Sequence, residues 1–186
     1  MMASSSDSGT KWTHSKLMDS TGNEQSGTIN AIWEDGRGRV WVCASRRSCQ
    51  LDRMNPGKCL PSTGTDVGCT DIRSDITSGI STDTVWAISS TAILRFNGTI
   101  WERPPGLQSD SKPTLSKLVV SPKSEIWAVG SSGTVFQWTD DSLKLVDYSF
   151  VSGSRSLTAI AAAGNDVWVS DGTTVWKLAR SGSLYD

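Results

Sequence analysis

The stretch DTVWAISSTAILRFNGTIWERPPG runs from Asp83 to Gly106 and holds two tryptophans, Trp86 and Trp101, each inside a short apolar run. The first run, VWAIS, alternates with period two, the pattern of a strand with one face to bury. A polar pair follows, then AILRFN, then the turn residues NGT, then TIWERP. Asn and Gly between apolar runs mark reversals of chain direction. The stretch therefore reads as three antiparallel strands in succession. A unit this small does not bury both its faces alone. What the fold is depends on whether the unit recurs.

It does. Four segments align on one tryptophan each: GRVWVCAS, DTVWAISS, SEIWAVGS and NDVWVSDG. Their tryptophans are Trp41, Trp86, Trp127 and Trp168, at spacings of 45, 41 and 41 residues. A constant period of that size is the period of a propeller blade. Before each tryptophan lies another short run, TINAIW, DITSGI, LSKLVV and LTAIAA in order. After each comes a third, CQLDRM, AILRFN, TVFQWT and TVWKLA, and repeats two and three add a fourth, TIWERP and LKLVDY. The sequence thus predicts an all-β protein, a β-propeller of about four four-stranded blades stacked around an axis. The domain spans residues 10–186 behind a disordered tail at residues 1–9. Repeat four ends after three strands, and TKWTHSKL near the N-terminus resembles GTIWERPP of repeat two. Thr10–Ser15 is therefore expected to close the ring as the last strand of that blade. The alternatives are membership of a larger ring, or a ring shared by two chains.

Composition narrows the function classes. The net charge is -1 over 186 residues, so no global basic field favours nucleic acid or an anionic membrane surface. Nine tryptophans against three phenylalanines and two tyrosines, with 17 glycines, suit short strands and tight turns. The opening MMASSSDSGTKW has no apolar core of a signal peptide, and no apolar run approaches a membrane span. The expected location is cytoplasmic, or extracellular if the cysteines are disulfide-bonded.

Two propeller families resemble parts of the chain. TINAIWEDGRGRVWV in repeat one is similar to the repeat of two-component-regulator sensor propellers, Ile-x-x-Ile-x-Glu-Asp-x-x-Gly-x-x-Trp. VWAISSTAILRFNGTIWERPPGL and IWAVGSSGTVFQW resemble tectonin repeats. Sensor propellers bind ligands outside the cell, and tectonin-like families bind glycans or protein partners. The resemblance implies a binding module. Repeat one departs from the patterns by an insertion, and repeat four by VWVSDGTTVW in place of the Gly-x-Gly-type turn. EDGRGRVW and SDGTTVW also resemble the Asp-box turns of sialidase-like propellers, a structural turn that implies no hydrolase.

Individual residues carry the remaining expectations. A tryptophan repeated in mid-strand is expected to pack between blades, which assigns Trp41, Trp86, Trp127 and Trp168 to structure. Trp101, Trp138 and Trp176 recur less regularly and are the better candidates for surface aromatics that stack on sugars. Cys43, Cys49, Cys59 and Cys69 have spacings of 6, 10 and 10, unlike the close pairs of zinc sites, and the single histidine is His14. No metal and no cofactor is expected. The four cysteines form two disulfides in an oxidising compartment or stay free in the cytosol, and Cys43 and Cys49 flank a turn across which they could meet. Arg37, Arg39, Arg46, Arg47, Arg53 and Lys58 stand against Asp52 alone, a local charge of +5. Of these, Arg46, Arg47, Arg53 and Lys58 are the candidate partner site, suited to an acidic or phosphorylated protein. Asn97 begins a glycosylation sequon that matters only in a secreted chain. One histidine and the absence of nucleophile-elbow, phosphate-loop and zinc-protease motifs argue against an enzyme. The expected function is a non-enzymatic protein-interaction scaffold, with a lectin-like glycan- or small-ligand-binding propeller as the alternative.

Overall fold

The computed structural model describes residues 2–5, 12–19, 21–24, 26–34, 38–45, 48–51, 69–74, 84–89, 92–103, 114–123, 125–139, 142–146 and 155–178. Two strands come first, β1 (Met2–Ser5) and β2 (Trp12–Ser15). Four meanders follow. The first holds β3 (Ile29–Glu34), β4 (Val40–Ala44) and β5 (Ser48–Gln50). The second holds β6 (Asp71–Ser74), β7 (Thr84–Ile88), β8 (Ile93–Asn97) and β9 (Trp101–Glu102). The third holds β10 (Leu115–Val120), β11 (Ile126–Gly130), β12 (Val135–Thr139) and β13 (Ser142–Val146). The fourth holds β14 (Ala159–Ala163), β15 (Asp166–Ser170) and β16 (Val175–Leu178). Each sheet is antiparallel with its strands in chain order. The only helical element described is a single 3-10 turn at Ser131–Gly133. Gly130, just before it, has to be glycine. A Cβ there would fall on the Thr114 carbonyl, which sits close because Ser131 N donates to that oxygen at 2.8 Å.

The period-two alternation sorts each second strand onto two faces, and successive sheets stack through them. Trp41 and Cys43 on β4 meet Ile72, Val85, Ala87 and Leu94 of the second sheet. Trp86 and Ile88 on β7 meet Leu118, Ile126, Ala128, Phe136 and Trp138 of the third. Trp127 and Val129 on β11 meet Leu157, Val167, Val169 and Leu178 around the fourth. One tryptophan per repeat therefore fills each of three seams. Aromatic rings meet across the first two: Trp41 lies 5.2 Å from Phe96, and Trp86 lies 5.4 Å from Trp138. The first strands of the sheets, β3, β6, β10 and β14, line up as neighbours along the array.

Side-chain hydrogen bonds stitch the same seams. Asn30 Nδ2 donates to Cys69 O at 2.6 Å, Thr70 Oγ1 to Leu115 O at 3.5 Å, and Ser116 Oγ to Leu157 O at 2.6 Å. Each donor sits at the start of an inner strand, and each acceptor belongs to the next sheet. Asp71 adds to the second seam. Its carboxylate is fully buried, accepting from Ile72 N at 3.0 Å and from Leu118 N at 3.2 Å on the neighbouring sheet. A buried carboxylate needs such donors to offset its lost hydration.

Three expectations need correction. Trp12–Ser15 pairs with Met2–Ser5, not with β16, so it does not complete the fourth sheet and no ring closes among the described residues. A partner a few residues away costs far less loop entropy than one at the far end of the chain. Met2–Ser5, read as tail, is strand. The N-terminal segment does reach the array, but at its other end, where Leu17 is buried with Val42, Ala44 and Leu51 on the first sheet. The first strand of the second sheet is Asp71–Ser74, ahead of the expected DITSGI segment at residues 75–80, which lies outside the described residues. Asp71 and Ile72 are what that position needs, a bridge to the third sheet and an apolar residue opposite Ala87.

Candidate functional site

One edge of the array gathers the turns after the second strands and the entries to the inner strands. Cys69 N donates to Ala44 O at 2.9 Å, Leu157 N to Gly130 O at 2.9 Å, and Gly133 N to Arg155 O at 2.7 Å. Each bond joins neighbouring sheets, so the edge is a fixed rim on which loops can present side chains.

Among the described residues, the rim of the fourth sheet carries an ion pair closed on the protein itself. Arg155 Nη1 contacts Asp171 Oδ2 at 2.7 Å. Asp171 Oδ1 also accepts from Thr173 N, Thr173 Oγ1 and Thr174 N at 2.8–2.9 Å, with Gly172 at φ 93° supplying the left-handed residue of the turn. This is the Asp-box-like turn read from SDGTTVW, and its acid secures its own backbone. At the opposite edge, where it pairs with Thr84 at the start of β7, Asn97 does the same, accepting from Thr99 N and Ile100 N. Away from this rim, Asp19 accepts from Thr21 Oγ1, Asn23 N and Thr21 N.

These donors favour the ionised acids. The Arg155 guanidinium first, then the Thr173 and Thr174 donors, hold the Asp171 carboxyl well below the usual carboxylate range. The Thr21 hydroxyl and Asn23 amide draw Asp19 down to about 2. A depressed folded value means stability that is present above the ordinary carboxylate value and lost as pH falls through the folded one. In a carbon-detected NMR titration, Asp19 should therefore reach half-protonation near pH 2, with Asp171 remaining ionised at that point. Arg155→Ala should move Asp171 back toward the ordinary range, though not fully, since the threonine donors remain. An unmoved Asp171 would show that the guanidinium does not govern the turn.

The sequence-predicted residues separate into three groups. Arg46, Arg47, Arg53, Lys58 and Cys59 lie outside the described residues. Leu51 N donates to Val40 O and Cys69 N to Ala44 O, which fixes these two described residues at opposite ends of β4. The cysteine expectation is revised, since Cys43 bonds to Cys69 and not to Cys49. In register, Cys49 stands opposite Val42, and Ser48 opposite Cys43. Among the aromatics, Trp41, Trp86 and Trp127 are buried in the seams. Trp101 and Trp138, the surface candidates, are buried instead, because they form the apolar walls that receive Trp41 and Trp86. Trp176 is half-buried against the fourth-sheet cluster. Trp168 departs the other way and stands exposed. His14 is exposed on β2. Among the described residues no three His, Cys, Asp or Glu side chains gather into a metal site. No helix among them is long and apolar enough to cross a membrane.

Sequence reasoning passed over the seam donors Asn30, Thr70 and Ser116. A signal existed: each repeat places a polar residue directly after an apolar or Cys residue at this point, as in IN, CT, LS and LT.

The array is similar in fold to the extracellular domain of a hybrid two-component system from B. thetaiotaomicron, with TM-score 0.68 and 18% identity over 91% of this chain and 24% of that one. It is also similar to virginiamycin B lyase from Staphylococcus aureus, solved as a catalytically inactive variant with quinupristin, with TM-score 0.67 and 11% identity over 87% of this chain and 56% of that one. The selenomethionine-substituted lyase gives TM-score 0.64 and 13% identity over 90% and 60%. The chain thus spans about a quarter of the length of the first and less than two thirds of the lyase. No protein-family model matches the chain, and no curated protein does. At these identities the likeness is one of fold. It supports a propeller-like stack of small antiparallel sheets and does not single out tectonin repeats.

Proposed function

We propose that the chain is a non-enzymatic binding module working outside the reducing cytosol, and that its partner is a protein held at the rim of repeat one. The observation that carries this reading is the burial of Trp41, Trp86 and Trp127 in the seams. Three of the four recurring tryptophans are spent on packing within the chain. A glycan-binding propeller would recur in its site as well, with the same aromatic and polar side chains at each equivalent turn. The described turns share none: Ser89 bonds across to Ala92, Ser131–Gly133 forms a 3-10 turn, and Asp171 closes on Thr173 and Thr174. Specificity then belongs to what does not recur in repeat one, the Arg46 and Arg47 turn and the insertion with Arg53 and Lys58. The lyase neighbour is an enzyme by name, but this chain has one histidine, and it lies on the N-terminal hairpin. The Cys43–Cys69 disulfide supports an oxidising location, where such bonds persist, and the sensor neighbour is an extracellular domain.

The test is a pull-down comparing the parent with Arg46→Glu/Arg47→Glu at low and moderate salt. Rim charges act mainly through screened, long-range attraction. The variant should lose the partner at low salt, and the parent should weaken as salt rises. Retention of every partner by the variant at both salt levels would remove the basic residues from the site. Glycan-array binding that saturates at several sugars per chain would favour a lectin over a protein-binding module.

A further inference from the structure

The three seams obey one rule, and the rule breaks at both ends of the array. Within the seams the repeat tryptophans are covered, with Trp41, Trp86 and Trp127 exposed by 1%, 4% and 3%. The face that receives each one presents an inner-strand residue paired with the residue after the next repeat tryptophan. Ile72, opposite Ala87, is 0% exposed, and Leu118, opposite Ala128, is 2% exposed. Ile160, opposite Val169, is partly buried against the same cluster as Trp127.

Among the described residues nothing receives the fourth sheet. Trp168 is 39% exposed, covered only in part by Lys177, whose ammonium lies 5.6 Å from the ring centroid. Val175 beside it is 65% exposed, and Ala159 and Ala161 on β14 are open as well. Thr158 occupies the position of Asn30, Thr70 and Ser116 and is exposed, with no following sheet among the described residues. Before the first sheet no repeat tryptophan is packed on the receiving face among the described residues. Ile32, opposite Val42 and equivalent to Ile72 and Leu118, is 57% exposed. Leu17 covers Val42 and Ala44 on that face and leaves Ile32 open. Of the four large apolar residues exposed among the described residues, Ile32, Trp168 and Val175 lie on these two ends. Lys177 beside Trp168 is already paired with Asp166 Oδ2 at 2.8 Å, so apolar burial and not charge is what the two ends offer each other.

The two ends are thus the two halves of one seam, not joined to each other among the described residues. We propose that the fourth sheet of one copy docks on the first sheet of a second copy, head to tail, so that two copies share a ring. The contact repeats an interface built three times inside each chain. The tryptophan enters the apolar face, and Thr158 is placed to donate to the carbonyl at the Ile29 position. Two patches that differ make a heterologous contact, which gives a closed assembly when the rotation closes. Two four-sheet arrays make eight sheets, within the range of about four to eight blades that propellers use.

Sedimentation equilibrium or light scattering on this chain tests it. The parent should have the mass of two copies. Trp168→Glu and Ile32→Glu should each halve that mass at concentrations where the parent is dimeric. Both residues are exposed in the single chain, so circular dichroism of the variants should match the parent. Mixing the two variants should restore two-copy mass, because the intact Trp168 end of one meets the intact Ile32 end of the other. A parent that stays monomeric overturns the proposal. So does a dimer broken by Trp168→Glu but untouched by Ile32→Glu, which would mean that two fourth sheets pair with each other. A mixture that stays monomeric also counts against it.

Discussion

Trp127→Ala should lower the stability of the folded chain by about 3–5 kcal/mol, the usual cost of truncating a buried aromatic. The indole sits between two sheets, with Val129 and Val135 on its own side and Leu157, Val167, Val169 and Leu178 across the seam. Alanine would leave a void lined by rigid strands with little freedom to collapse. A loss of that size is a large part of the total stability of an ordinary domain. Trp127→Phe separates packing from polarity. Phenylalanine keeps most of the apolar contact and removes an indole N–H that finds no acceptor among the described residues. Its cost should stay at about 1.5 kcal/mol or less. Urea unfolding followed by circular dichroism measures both. An alanine variant as stable as the parent would mean that the third and fourth sheets are not held by this side chain.

The repeat tryptophans show what a single sequence can disclose. Their period and mid-strand position place Trp41, Trp86 and Trp127 in the core because a residue inside an alternating strand faces a neighbouring sheet. Nothing in NDVWVSDG says whether a neighbour exists, so Trp168 reads the same as the others yet stands exposed. Burial at an end of an array is a property of the assembly and not of the motif. The same reasoning explains Trp101 and Trp138. Their irregular recurrence looked like surface placement, but each is fixed by the tryptophan it receives from the sheet before. The start of the second sheet was hidden for another reason. DITSGI is apolar enough to pass for a strand, whereas Asp71 in DIRS looks like a turn residue until its carboxylate is seen to bridge two sheets. Ring closure was misjudged because TKWTHSKL matches a fourth strand by composition, and composition carries no information about partners. The basic residues of repeat one remain a proposal drawn from charge.

Reduction of the Cys43–Cys69 disulfide should cost roughly 3–4 kcal/mol, the loop-closure entropy expected for a cross-link of this span. The two cysteines are 26 residues apart in sequence, and the bond ties the end of β4 to the entry of β6. Both sulfurs are buried in the first seam beside Trp41. Reduction keeps both sulfurs in the seam, although the two thiols must move apart to van der Waals distance, so it removes the covalent constraint with little loss of apolar side-chain volume. Cys43→Ala/Cys69→Ala removes the constraint and also the sulfur contacts, and should cost more than reduction alone. For a domain of this size the melting temperature should fall on the order of 10 °C on reduction. Peptide mapping of the unreduced chain should recover a Cys43–Cys69 linked pair, and Cys49→Ser should leave both that pair and the melting temperature intact. If Cys49→Ser abolishes the effect of reductant, the functional bond is a different one. If reductant has no effect on a chain in which the Cys43–Cys69 pair is formed, the first seam holds by packing alone. The argument for an oxidising compartment would then rest only on the chemistry of the bond, with no contribution from its effect on stability. A large effect would make the first seam, the one next to the insertion of repeat one, the part of the array whose integrity depends on where the protein resides.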